Sequence, residues 1–252
     1  MLDVENQAVS PASLPASRSF DSRLPIVSYH NVGLTRPDVN PLLTVTPEQF
    51  AKQVRWLART GYSSISTSDW FAWVTEKRPI PKRPVLITFD DGYEDITRYA
   101  LPLLSHYGFK SIVYIVTGLI GRVNEWDIGK VNGWDLRAWP GELQLMSEEQ
   151  IIEWATKGCE FGSHTRHHPD LRTLCQNELE DEVFASAADL RRILGVVPTS
   201  LAYPYGHFNQ TVRDCVSQVY RTSVTVVEAI CTDRDDPNLM PRILARPGEN
   251  LF

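Results

Sequence analysis

Residues 85–93 read VLITFDDGY, a run of five apolar or β-branched residues that ends in two carboxylates, a glycine and a tyrosine. A short continuous run of this kind is typical of a strand that is buried on both faces of a parallel sheet. Comparable runs recur along the chain at residues 26–29, 62–65, 111–116, 159–162, 200–203 and 222–227. They predict that the fold is built on parallel strands.

Helical patterns lie between these runs. Thr46 precedes a proline and stands three residues before Gln49, a capping box that predicts the start of a helix, and Gly61 ends the pattern. Further helical patterns cover residues 99–107, 147–158 and 178–194.

The alternation of strands and helices predicts one α/β domain over residues 23–252. The strands could close into a barrel or form an open, doubly wound sheet. Residues 1–22 are rich in Ser, Pro and Ala and have no hydrophobic period, so we predict a flexible leader there.

Charge and hydropathy narrow the range of partners. The chain has 25 basic and 31 acidic residues, a net charge of −6, and no basic cluster that could follow a phosphate backbone, so we expect no nucleic-acid partner. No apolar run is long enough for a membrane span, and no signal peptide is visible, which predicts a cytoplasmic location. The sequence does not predict the oligomeric state.

The four cysteines are widely spaced, which favours reduced thiols over disulfides. They are Cys159, Cys175, Cys215 and Cys231.

Polar residues stand where the predicted strands end. His30 follows the first run, Asp90 and Asp91 end the third, His164 ends the fifth, and residues 203–206 end the sixth. In parallel α/β folds the carboxyl ends of the strands form the functional face. We therefore expect these distant residues to lie together.

The acidic pair and the histidines suggest a metal site. Taken alone, Asp90 and Asp91 before a glycine are more easily interpreted as a turn. His164 and His168 are four residues apart, which on a helical turn would place both imidazoles on one face, with His167 as the competing ligand. One carboxylate and two imidazoles leave open positions on a divalent ion, and the second carboxylate could act as a general base. This set predicts metal-assisted hydrolysis of an amide or ester.

Three segments carry a resemblance to a known family. Residues 88–93 (TFDDGY), 163–171 (SHTRHHPDL) and 202–206 (AYPYG) resemble, in order and spacing, the first three motifs of the polysaccharide deacetylases. These form the NodB-homology group, carbohydrate esterase family four. The resemblance covers roughly residues 24–246 and implies a distorted (β/α) barrel. The implied reaction is removal of N-linked acetyl groups from an N-acetylated amino sugar or polysaccharide.

The resemblance also implies roles for individual residues. Asp91, His164 and His168 would bind a divalent metal, with zinc expected first and cobalt, nickel or iron as alternatives. Asp90 would be the general base. The backbone N–H of Tyr205 would help to stabilise the oxyanion.

The chain departs from the usual motifs of the family. Ala202 stands where the third motif usually has an arginine that orients the basic aspartate. The fourth motif, Asp-x-x-Asp-Trp, is absent. The Leu-x-His of the fifth motif is absent too, because the last histidine is His207.

One subgroup, which resembles the deacetylases of poly-N-acetylglucosamine, offers substitutes. It carries its acid histidine near the N-terminus, and residues 27–32 (VSYHNV) resemble that segment, which makes His30 the expected general acid. Residues 241–243 (PRI) resemble a C-terminal segment of the same subgroup. Arg242 is therefore the candidate to replace the missing arginine beside Asp90.

Two further questions stay open at this level. The aromatic, glycine-rich stretch 124–146 contains Trp126, Trp134 and Trp139, and could be a sugar-stacking lid or a small satellite core. The alternatives to deacetylation are hydrolysis of another non-peptide C–N bond, such as a formamide or cyclic ureide, and carbohydrate binding with vestigial catalysis.

Overall fold

The computed structural model describes residues 23–34, 43–126, 144–249 and 251. The predicted leader, residues 1–22, lies outside the described residues. So do Trp134 and Trp139 of the tryptophan-rich stretch, whereas Trp126 is described.

Short strands and helices alternate along the described chain. The strands are β1 (Arg23–Leu24), β2 (Ile26–Tyr29), β3 (Asn31–Val32), β4 (Thr44–Val45), β5 (Ser63–Ser64), β6 (Pro84–Phe89), β7 (Ile112–Ile115), β8 (Glu160–Ser163), β9 (Ser200–Ala202), β10 (Thr222–Glu228), β11 (Cys231–Thr232) and β12 (Met240–Leu244). The helices are α1 (Pro47–Arg59), α2 (Thr67–Glu76), α3 (Asp95–Tyr99), α4 (Leu101–His106), α5 (Glu148–Thr156), α6 (Gln176–Glu180), α7 (Ser186–Leu194) and α8 (Gln210–Ser217).

Seven of these strands close into a parallel barrel in the order β2, β12, β10, β9, β8, β7, β6. The ring is closed by the pairing of β2 with β6, in which Ile26 lies opposite Leu86. Strand β5 pairs with the start of β6, outside the ring. The predicted distorted (β/α) barrel is therefore confirmed, and the open sheet is excluded.

The buried strand residues divide between two cores. Leu86 of β6 packs with residues from β2, β7, β9, β10 and β12, which is the interior of the barrel. Its neighbours Val85 and Ile87 pack instead with helix residues such as Phe50 of α1. This alternation follows from the two-residue period of a strand. It leaves Leu86, Thr88 and Asp90 on the inward face.

Several elements were not anticipated from the sequence. They are helices α2 and α8, the barrel strand β12 and the two-residue strands β1, β3, β4 and β11. Strand β12 reads MPRIL, and its proline and arginine interrupt the apolar run that marks the other strands. Proline removes a ladder donor, and the register between β10 and β12 is irregular in this region. The run at residues 62–65 does form a strand, β5, but it is not part of the closed ring.

Two predicted helices are interrupted. The pattern at 99–107 belongs to α3 and α4, which are separate because Pro102 lies in the first turn of α4. The pattern at 178–194 is a continuous helical stretch in which a π-helical segment, Asp181–Ala185, separates α6 from α7.

Candidate active site

The strands deliver the predicted residues to one end of the barrel. Asp90 and Asp91 follow β6, His30 follows β2, and His164 follows β8. Tyr205 lies in a 3-10 turn, Pro204–Gly206, after β9. The expected convergence at the carboxyl ends of the strands is what the structure shows.

A backbone kink separates the two carboxylates. Asp90 still follows the strand, and its N–H donates to the carbonyl of Tyr29 at 2.9 Å. Asp91 has a φ of 70°, in the left-handed region that a non-glycine residue rarely adopts. As a result, Asp90 bonds to residues inside the barrel, while Asp91 faces the histidines.

Asp91, His164 and His168 form a buried cluster. Asp91 Oδ1 lies 3.4 Å from Nε2 of His164 and 3.6 Å from Nε2 of His168. One potential ligand atom from each residue lies within 4.8 Å of the others. Among the described residues, no other group of three His, Cys, Asp or Glu side chains converges in this way.

The segment that carries the two histidines, residues 164–168, is called here the histidine turn. The expectation of a helical turn was wrong, because Thr165 and His168 have φ values of 66° and 60°. Such conformations cost about 1–3 kcal/mol each and persist only where the surroundings hold them. One local contact that holds them is the bond from the His168 N–H to Oγ1 of Thr165, at 3.1 Å.

His167, the alternative ligand, turns away from the cluster. Its Nδ1 lies 2.7 Å from Oε1 of Glu182, and its side chain is 54% exposed. The structure therefore brings His164 and His168 to Asp91, but not His167.

The rings of the two clustered histidines are held differently. Nδ1 of His164 lies 2.8 Å from the carbonyl oxygen of Ala202 and so carries the proton, which leaves Nε2 free to face Asp91. The ring of His168 lies between Trp126 and Tyr205, with both ring centroids 4.6 Å away. Trp126 is thus part of the site wall.

Arg242 binds Asp90 from inside the barrel. Its two terminal nitrogens donate to Oδ1 and Oδ2 of Asp90 at 2.7 and 2.6 Å, a bidentate pair. Arg242 is 2% exposed and also donates to the carbonyl of Thr225 and to Oγ1 of Thr88. Ala202 occupies the position of the family's usual arginine and carries no charge. Arg242 instead brings a guanidinium to Asp90 from β12.

The charges in this site shift several pKa values. Burial raises the pKa of the Asp90 carboxyl, but the charge and hydrogen bonds of Arg242 outweigh burial and hold it well below its usual range. The pKa of Asp91 is also lowered, because His164 and the other nearby imidazoles outweigh its burial. Burial and the neighbouring His164 lower the pKa of His168 to about 3. Asp90 is therefore ionised, and His168 neutral, throughout the physiological range.

His30 faces the same carboxylate. Its Nε2 lies 3.8 Å from Oδ2 of Asp90, and its side chain is 15% exposed. Its Nδ1 is buried and has no hydrogen-bond partner in the described part of the chain. The imidazole is therefore close to the reacting region and partly open to it.

The cluster fits a divalent metal. At bond lengths of about 2.0–2.2 Å, tetrahedral geometry separates neighbouring ligand atoms by about 3.3–3.6 Å, which matches the two distances from Asp91 to the histidines. Two imidazole nitrogens and one carboxylate oxygen are also a donor set that zinc and other first-row metals accept.

The comparisons with known proteins agree with this geometry. The model of the polysaccharide deacetylase family matches residues 77–224, which is more than half of the chain. The chain belongs to the polysaccharide deacetylase family. The matched region contains Asp90, Asp91, the histidine turn and Tyr205, and the predicted resemblance is thereby confirmed.

Three individual relatives share about a quarter of their aligned residues with this deacetylase-family chain. The protein YxkH of Bacillus subtilis is 25% identical over 228 residues, which are 90% of this chain and 73% of that protein. The poly-beta-1,6-N-acetyl-D-glucosamine N-deacetylase of Staphylococcus aureus is 26% identical over 214 residues, 80% of this chain and 67% of that protein. The solved structure of the Streptococcus pyogenes deacetylase PplD in complex with acetate superposes with a TM-score of 0.78 at 24% identity, covering 91% of this chain and 95% of that one.

Sequence reasoning missed one buried polar residue of the site. Glu182 accepts hydrogen bonds from the histidine turn and is 8% exposed. It lies in a helical pattern among other acidic residues, so nothing in the local sequence distinguishes it from a solvated side chain.

Proposed function

We propose that this protein is a metal-dependent N-deacetylase of N-acetylated amino sugars in a polysaccharide. The observation that carries the proposal is a buried Asp-His-His cluster beside a second carboxylate, Asp90, which is bound to Arg242 and not to the cluster. A binding protein would have no use for a spare, ionised carboxylate at such a site.

Asp91, His164 and His168 would hold the metal, for which zinc is the first expectation. When bound, the ion would polarise the acetyl carbonyl and activate water. The neutral state of His168 and the protonated Nδ1 of His164 both leave a ring nitrogen free to bind it.

Asp90 would act as the general base. Because Arg242 fixes both carboxylate oxygens, Asp90 stays ionised and in one orientation, ready to accept a proton from the attacking water. Arg242 would serve as the residue that positions this base. It would do so from the C-terminal strand, in place of the arginine that the third motif lacks.

His30 would act as the general acid. As an imidazolium near Asp90, it could donate a proton to the amine that leaves the sugar. The backbone N–H of Tyr205 would stabilise the oxyanion, and Trp126 with the Tyr205 ring would hold the His168 imidazole in place.

The name of the Staphylococcus aureus relative points to N-acetylglucosamine polymers as substrate class. Across the described residues, no helix has the length and apolar character needed to cross a membrane. The cytoplasmic location stays a prediction.

An assay of product release tests this proposal. Purified protein, loaded with zinc or stripped with a chelator, is incubated with mono-, oligo- and polymeric N-acetylglucosamine and, separately, with an N-formylated sugar and a cyclic ureide. Release of acetate, release of formate and ring opening are measured. We expect metal-dependent acetate release, lost in Asp91→Asn. Formate release from a formamide without acetate release would favour the other C–N hydrolases. Sugar binding with no product would favour vestigial catalysis.

A further inference from the structure

A π-helical segment contacts the backbone of the histidine turn at Arg166 and His167. The segment, Asp181–Ala185, lies between α6 and α7, and π-helical turns of this kind are frequent at functional sites. It contributes Glu182, whose side chain is buried although neighbouring Asp181 is exposed.

Glu182 accepts three hydrogen bonds from the histidine turn. Its Oε2 accepts from the backbone N–H groups of Arg166 and His167, at 2.8 and 2.9 Å. Its Oε1 pairs with Nδ1 of His167 at 2.7 Å. A single buried carboxylate therefore holds the two residues that precede His168.

The opposite side of the turn is held by backbone. The N–H of Thr117 donates to the carbonyl of Thr165 at 3.1 Å, and the N–H of Gly118 donates to that of Arg166 at 2.8 Å. A Cβ on Gly118 would lie 2.7 Å from the carbonyl oxygen of Arg166 and 2.8 Å from Nε2 of His167. The turn thus fits closely between this backbone and Glu182.

The same helical stretch makes a second contact through serines. Ser163 Oγ accepts from the N–H of Thr165 at 3.0 Å and donates to Oγ of Ser186 at 2.8 Å. Ser186 in turn donates to the carbonyl of Val183 within the π-helical segment. The start of the turn is therefore tied to the same helix as its middle.

We infer that Glu182 is a positioning residue for the metal centre, an inference that rests on the proposed metal-dependent function. Thr165 and His168 hold left-handed conformations that they would not keep unaided. Glu182 restrains two of the three peptide units between them, through the N–H groups of Arg166 and His167. Without its acceptors, three donors would be left unpaired, and the turn would relax and carry the His168 imidazole away from Asp91.

Three substitutions test this role. Glu182→Met keeps the length of the side chain but removes both acceptors. Glu182→Gln keeps one acceptor for the two backbone N–H groups, and its amide can donate to a neutral His167. Asp181→Asn is the matched control, because Asp181 is the adjacent carboxylate and its side chain is 60% exposed; its contact with the turn is a surface pair with the Arg166 side chain at 3.3 Å, which an amide oxygen can keep.

Zinc dissociation constants are measured by competition with a chromophoric chelator, alongside the absorption spectrum of the cobalt-loaded protein and the steady-state kinetics. We expect Glu182→Met to weaken zinc binding about 10- to 100-fold and to alter the cobalt spectrum. It should also lower kcat more than it raises KM. The zinc dissociation constants of the other two variants should stay within about threefold of the wild-type value. Zinc binding by folded Glu182→Met within about threefold of wild type would overturn the inference.

Three further cases separate the role of Glu182 from the proposed function. If Glu182→Met does not fold, Glu182→Asp takes its place, because the shorter carboxylate cannot reach both backbone N–H groups and His167 at once. Weakened zinc binding by Glu182→Asp supports the positioning role, and unchanged binding overturns it. Wild-type protein that binds no zinc and releases no acetate would overturn the proposed function itself. Tight zinc binding by both wild type and Glu182→Met would overturn only the role of Glu182.

Discussion

At the scale of single residues, His168 is the sharpest test of the ligand set. Its ring lies against Trp126 and Tyr205, and its Nε2 faces Asp91. We expect His168→Ala to weaken zinc affinity more than about 100-fold and to abolish acetate release without unfolding the barrel. Metal content and circular dichroism provide the measurement.

His207→Ala is the control for that substitution. His207 follows the same strand end as Tyr205, but its side chain is 44% exposed and pairs with Asp170. It should keep full metal content. Normal metal content in His168→Ala would show that His168 is not a ligand.

The role of Asp90 can be separated from metal binding. Asp90→Asn should retain zinc with little change in affinity, because the carboxylate bonds to Arg242 and not to the cluster. Turnover should fall on the order of 100-fold or more, since an amide cannot accept the proton. Loss of zinc in this variant would instead make both aspartates ligands.

The proposed acid, His30, is tested by pH dependence. If its imidazolium protonates the leaving amine, activity must fall as the pH rises and the ring loses its proton. His30→Ala should therefore lower kcat and remove this basic limb of the pH profile while zinc stays bound. A profile of unchanged shape in His30→Ala would rule out the assignment.

Among the secondary-structure elements, strand β12 links stability to pH, because its Arg242 binds the buried Asp90. In the wild type the lowered pKa of Asp90 stabilises the fold above the ordinary carboxyl pKa of ~3.9, and this contribution is lost as the pH falls through the lowered value. In Arg242→Met, burial would be opposed only by the nearby His30 and His164 imidazoles, so the pKa of Asp90 would rise.

The free energy of unfolding of Arg242→Met should therefore fall further below that of the wild type as the pH rises. We expect a deficit of about 3–5 kcal/mol at neutral pH, where Asp90 would be a buried, unpaired charge, and a smaller deficit near ~pH 4. The acidic limb of activity should move to higher pH. Urea unfolding of both proteins across the pH range provides the measurement, and parallel stability curves would contradict the coupling.

At the scale of the whole molecule, metal binding should add to stability without being required for the fold. The barrel core has its own buried apolar residues, and the cluster lies at its rim. Zinc at about 100 times its dissociation constant should stabilise the folded state by about 2.7 kcal/mol. That is a rise in Tm of about 5–11 °C for a domain of this size.

Thermal unfolding with and without zinc checks this expectation. Asp91→Ala should show no rise in Tm, because the cluster has lost its carboxylate. An equal rise in wild type and Asp91→Ala would place the bound zinc elsewhere on the protein.

Much of the fold was predictable because its signals are local. The five apolar or β-branched residues at 85–89 are enough to predict a buried strand. The capping residues Thr46 and Ser147 mark where α1 and α5 begin. The residues of the metal cluster could be proposed from their types and spacing. The conformation of the histidine turn could not, since the same spacing suits a helical turn. In the structure, two left-handed residues bring the His164 and His168 ring centroids to 4.6 Å.

The sequence alone is enough to predict the alternating strands and helices, the acidic pair and the candidate ligands, because each depends on residues that are neighbours in the chain. Two contacts emerged from the tertiary fold. Arg242, a candidate only through the resemblance, binds Asp90, 152 residues away, and Glu182 supports the histidine turn. An arginine within MPRIL and a glutamate in an acidic helix carry no local sign of burial. Closure of the barrel buries Arg242, and packing of the helical stretch against the histidine turn buries Glu182. Once buried, each must find its partner within the protein.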